Sequence, residues 1–125
     1  MTWLVIGIGG ALGAMARHAV NAFVHQRALS GTFPLGILIV NVLGSAAIGI
    51  VGGLIVAERV HMSYQARTFV MVGLLGGFTT FSSFSFDTLA LARDGHLDQA
   101  IVNVTGHLGL SLAAVWLGFR LAAGR

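Results

Sequence analysis

The chain has 125 residues, room for one domain, and is 56% hydrophobic but only 9% charged. A soluble domain carries about 25% charge, so these residues cannot dress a water-facing surface. The formal charge of +3 comes from seven arginines and no lysine; they stand singly rather than in a basic stripe, which argues against nucleic acid and for membrane lipid or an anionic solute as partner.

Four long uncharged stretches follow one another. The first runs over residues 2–16 and continues across Arg17 and His18 to about residue 25. No basic segment precedes it, so no cleavable signal peptide is expected. It carries Gly9 and Gly13 as a GxxxG pair, with Gly10 and Ala14 beside them; small residues let helix backbones approach closely in lipid. Near its far end, Arg17 either snorkels to the interface or forms a positive vestibule floor that draws anions. A connector at about 26–34 holds Ser30, Gly31 and Pro34, which break helices.

The second stretch, 35–57, has no charge at all. Asn41, Ser45, Gly49 and Gly53 recur every four residues and so share one face. A mid-span amide is costly unless paired, so Asn41 is either interhelical glue or a pore-lining donor. Glu58, Arg59, His61 and Arg67 mark the next connector.

The third stretch, 68–86, contains GGFTTFSSF at residues 76–84. Adjacent glycines have poor helix propensity, and Thr79 and Thr80 compete for backbone bonds, so the span is expected to break there. A break frees carbonyls that suit a small hard cation such as sodium; with no carboxylate at hand, a divalent ion would be poorly neutralised. Phe81 and Phe84, three apart, share a face, either as core filling or with electropositive ring edges turned to an anion. Ser82 and Ser83 add hydroxyls beside them, and Asp87 follows in a wet vestibule. After the turn Arg93-Asp94-Gly95-His96 comes the fourth stretch, 99–119, whose only ionisable group is His107. Asn103, His107 and Ser111 step by four, as interhelical bonding or as a ladder of polar groups for a moving ion. No second histidine or carboxylate at helical spacing makes His107 a metal site.

Runs of this length at ~1.5 Å per residue cross a ~30 Å hydrocarbon core, and they lack strand alternation. The expected fold is therefore an all-α integral membrane protein, one domain of four transmembrane helices at about 2–25, 35–57, 67–92 and 98–121, the third broken near its middle. Arg59, Arg67, Arg120 and Arg125 face one side, and Arg27, Arg93 and Arg17 the other. So weak a bias permits insertion in both orientations.

The stretches GGALGAMAR at 9–17, LGILIVNVLGS at 35–45 and GGFTTFSSFS at 76–85 resemble the Fluc/CrcB family of fluoride channels over nearly the whole length, and the last is the most specific. The resemblance implies an antiparallel, dual-topology homodimer in the inner membrane that passes fluoride passively through two pores. It implies a structural sodium ion at the dimer centre, held by the carbonyls of Gly76 and Thr79 from each subunit. It places the ion pathway on Asn41, Phe81, Phe84, Ser82, Ser83, Asn103, His107 and Ser111, and the vestibule on Arg17 and Asp87. Departures bear on the conduction path: Ile37 and Ser83 stand where the family has threonine, Phe78 for leucine, Asp87 for glutamate, and Asn103 and His107 for tyrosine and serine.

The main alternative is a proton-coupled small-molecule exporter, which needs an intramembrane carboxylate; Glu58 and Asp87 lie at span ends. A packing subunit would leave the broken span idle. Neither a nucleophile–base pair nor a nucleotide motif points to an enzyme.

Overall fold

The structure, a computed structural model, describes residues 1–27 and 31–124. Ser30, expected to help end the first span, and Arg125, counted in the charge balance, lie outside the described residues. Five helical segments make four membrane-length crossings. The first two are α1 (Thr2–Arg27) and α2 (Leu35–Val56). The third is divided into α3 (64–78) and α4 (Phe81–Arg93), and the fourth is α5 (Leu97–Ala123).

The boundaries follow local chemistry. Pro34, with no N–H to lose, precedes α2. The Ser63 hydroxyl accepts from the Ala66 N–H at 3.2 Å and starts α3. Gly95 takes φ +85° in the turn between α4 and α5, a conformation costly for any residue with a Cβ.

The third span departs from the expected account of its break. Gly76 and Gly77 are helical, forming the last turn of α3 with Phe78. The extended residues are Thr79 (φ −78°, ψ 157°) and Thr80 (φ −153°, ψ 115°). Poor glycine propensity is thus not what opens the helix. A second irregularity lies upstream: Thr68–Leu75 is π-helical, a feature often found at functional sites.

In lipid, packing replaces the hydrophobic drive between helices, and small residues set the approach. Helix α1 packs chiefly on α3, and α2 chiefly on α5, which also carries α4. At Gly13 a Cβ would collide with the Leu74 carbonyl and come within 2.7 Å of the Phe78 nitrogen. At Gly49 it would strike the Val115 carbonyl on α5. Large apolar side chains such as Trp3, Met15, Phe23, Leu89 and Leu121 remain exposed, as lipid-facing surfaces require. Towards helix ends the Arg27 guanidinium lies 5.1 Å from the Phe23 ring centre, and that of Arg120 5.2 Å from Trp116, pairs suited to the interface.

Gly13→Ala is therefore expected to destabilise the chain by about 1–3 kcal/mol through overpacking. The measurement is a melting curve of detergent-solubilised protein followed by size-exclusion chromatography; an unchanged midpoint would show that the α1–α3 contact yields freely.

Candidate functional site

The break is held open from α2. The Thr80 N–H donates to Asn41 Oδ1 at 2.8 Å, and Asn41 Nδ2 donates to the Thr80 carbonyl at 3.0 Å. Asn41 thereby acts as interhelical glue, since both ends of its amide engage one residue, and it also borders the groove described below. The bond has a consequence for α3. In a continuous helix the Thr80 N–H would close on the Gly76 carbonyl; donating to Asn41 instead, it releases that oxygen. The Ser83 N–H likewise donates to Thr80 Oγ1 at 3.2 Å, rather than to the Thr79 carbonyl. The Gly76 and Thr79 oxygens are thus among the main-chain acceptors that the break frees from the ladder.

The Thr79 hydroxyl turns back to the Leu75 carbonyl at 3.1 Å. Arg17 does not simply snorkel to the interface: its Nη1 donates to the Thr79 carbonyl at 3.4 Å. That bond is long, and a carbonyl oxygen offers a second lone pair. Neutral oxygens without a carboxylate suit a monovalent hard cation. Among the described residues, no group of three His, Cys, Asp or Glu side chains could hold a metal ion. Across the same gap the start of α4 presents N–H groups and the Thr80, Ser82 and Ser83 hydroxyls, which lie within 3.1 Å of one another through Thr80. One break therefore offers carbonyls to a cation and helix-start donors to an anion.

A groove of about 350 Å³ runs from the break along α5. Asn41 and Ser45 border it from α2, Gly76 and Thr79 from the break, Phe81 and Phe84 from α4, and His107 and Ser111 from α5. Phe81 and Phe84 have ring centres 5.2 Å apart, yet their surroundings differ. Phe84 is 8% exposed, whereas Phe81 is 75% exposed and projects from the chain. Phe84 lies 4.4 Å from the His107 ring, centre to centre.

Behind the groove, hydrogen bonds fix the polar track. The Thr88 hydroxyl donates to the Phe84 carbonyl at 2.7 Å, which leaves its oxygen to accept from Asn103 Nδ2 at 2.9 Å. Asn103 is fully buried and does not border the groove. His107 Nδ1 lies 2.9 Å from the Asn103 carbonyl; a carbonyl only accepts, so Nδ1 carries the proton. Asp87 sits apart, in a second cavity of about 210 Å³ with Thr32, Pro34, Asp94 and His96.

Residues 4–119 match the family described as CrcB-like protein, Camphor Resistance (CrcB). The chain is 50% identical over 123 residues to a fluoride-specific ion channel FluC of Opitutus terrae, covering 98% of this chain and 92% of that protein. To a FluC of Paramagnetospirillum magneticum the identity is 47% over 119 residues, covering 94% and 92%. To one of Thermus thermophilus it is 44% over 119 residues, covering 95% and 91%. The chain belongs to the CrcB family. With its four apolar, membrane-length helices it is a multi-pass inner-membrane protein.

Two parts of this CrcB-family site escape sequence reading. Thr88 follows Phe84 by four and could have been found on the same face of α4. The role of the Thr80 main chain could not, because a backbone group carries no residue-type signal.

Asn41→Leu should leave the Thr80 N–H and carbonyl without partners, each at a cost of about 1–3 kcal/mol. A lowered melting midpoint is the expected readout; wild-type stability would mean that the break stays open without this clasp.

Proposed function

We propose that the chain forms a fluoride-selective channel, working as an antiparallel, dual-topology homodimer with a structural sodium ion at its centre. The observation that carries this reading is the break in the third span, where freed carbonyls and an aromatic–polar groove meet. The relatives, which are fluoride-specific ion channels by name, support fluoride as the anion.

Fluoride is small and strongly hydrated, so a dry path must replace its water in stages, each contact weak enough to release it. The sequence of contacts begins at Arg17, whose charge concentrates anions near the break. The hydroxyls of Ser82 and Ser83 and the start of α4 then supply donors. The edges of Phe81 and Phe84 carry the anion past the narrowest apolar part. His107 and Ser111 continue the path along α5, with Asn103 holding the His107 ring from behind. Asp87 borders the outer cavity, where its charge would shape the approach of ions rather than bind fluoride.

The exposure of Phe81 and of Gly76 fits a second copy covering this face. Two chains would supply four carbonyl oxygens, from Gly76 and Thr79 of each, to a sodium ion. When bound, that ion supplies fixed positive charge that draws the two half-spans together and favours an anion nearby. Lipid covers the remaining apolar surface. The balanced arginines at the two ends permit opposite insertion of the two copies.

Fluoride efflux from liposomes, with chloride as control, tests the channel. Efflux of fluoride alone, without need of a proton gradient, is expected; strict dependence on such a gradient would instead indicate an exporter. Phe81→Ile should lower fluoride efflux by about tenfold or more while leaving the assembly intact on size-exclusion chromatography, an estimate for the loss of one staged contact of roughly 1.4 kcal/mol. Full activity would remove that ring from the path. For the cation, exchanging sodium for N-methylglucamine should lower the melting midpoint of the wild type by more than that of Asn41→Leu, in which the break has lost its clasp. Equal midpoints of the wild type in both salts would count against the carbonyl site.

A further inference from the structure

His107 poses a chemical problem for an anion path. Its ring is 5% exposed, borders the groove and stacks against Phe84. Because Nδ1–H donates to the Asn103 carbonyl, the neutral ring presents a lone pair at Nε2. That atom is buried and has no hydrogen-bond partner. A lone pair repels fluoride, so the neutral ring is a barrier where the path needs a donor. The neighbouring bonds prevent escape by rotation. A ring flip would take Nδ1–H from the Asn103 main-chain carbonyl, which the helix itself holds in place.

One proton reverses the sign of the contact. On the imidazolium, Nε2–H becomes a charged donor on a residue that borders the groove, while Nδ1–H keeps its bond. We propose that His107 is a proton-controlled selectivity residue: fluoride passes this point as an ion pair with the protonated ring, and the neutral ring obstructs it. The proton is taken up from the bulk buffer as hydronium, which leaves as water; it stays on Nε2 while fluoride passes and returns to the buffer when the ring relaxes. No proton crosses with the ion, so transport remains passive. The inference rests on the channel reading.

The charged groups around His107 are few. Helix α2, the main partner of α5, carries no ionisable residue. From α4 two charged groups are available. Asp87 interacts electrostatically with His107. Arg93 pairs with Asp94 at 3.1 Å at the exposed end.

The test measures fluoride efflux from liposomes with equal pH inside and out, after subtracting leakage from protein-free vesicles. Wild-type efflux should rise roughly tenfold as the pH is lowered from about 8 to about 5.5. His107→Gln, which keeps an amide donor without a titrating proton, should give a flat profile. A flat wild-type profile, or the same slope in His107→Gln, overturns the proposal. No fluoride efflux at any pH rejects the channel reading itself. Should His107→Gln fail to fold, wild-type protein decides alone. By linkage, adding sodium fluoride near neutral pH must draw protons from weakly buffered solution if fluoride prefers the protonated ring. Uptake with fluoride and none with sodium chloride supports the assignment; none with either overturns it.

Discussion

The two hydrogen bonds between Asn41 and the main chain of Thr80 are the constraint on which the rest depends. A side-chain amide at mid-span and a non-helical peptide are each expensive in lipid when alone. Placed against each other, each satisfies the other, and a helix that would otherwise continue is stopped at a defined residue. Stopping there releases the Gly76 carbonyl. It also lets the Thr80 hydroxyl cap α4 and sets the register that puts Phe81 and Phe84 on the groove.

Opposite helix ends then meet in one place. The last carbonyls of α3 and the first N–H groups of α4 are partial charges of opposite sign, uncovered within a few residues of each other. In a medium of low dielectric constant such fixed dipoles act strongly. A site of this kind needs no carboxylate and no ligand cluster, consistent with a third span uncharged from Thr68 to Phe86. Arg17, reaching the Thr79 carbonyl from α1, brings a formal charge to this arrangement. Its interaction links the first span to the break by chemistry as well as by packing.

The glycine-rich contacts serve the same end. Close approach of α1 to the π-helical part of α3 and of α2 to α5 fixes the walls between which the break is stretched. On the far wall, the chain of bonds from the Phe84 carbonyl through Thr88 and Asn103, with His107 bonded in turn to the Asn103 main chain, ties α4 to α5. This is the polar track in its structural role. Only His107 and Ser111 of its three members reach the groove.

Much of the fold is legible from residue type alone, because crossing a membrane demands long apolar runs and four are present. The interruption of the third run was equally visible, since four hydroxyls and two glycines do not belong in an ordinary span. Its mechanism was not: the glycines remain helical, and the opening falls at Thr79 and Thr80 because Asn41, 39 residues away, captures a peptide group there. Equivalent spacing also concealed unequal environments. Phe81 and Phe84 share a face, yet one is buried against α5 and the other projects outward. Sequence by itself determined the solvent, the number of crossings and the region of the break, for these follow from local hydrophobicity and propensity. Tertiary structure alone decided where the carbonyls are freed, where Arg17 points and which nitrogen of His107 is left without a partner, because each depends on a partner supplied by another helix or on the orientation of a whole helix face.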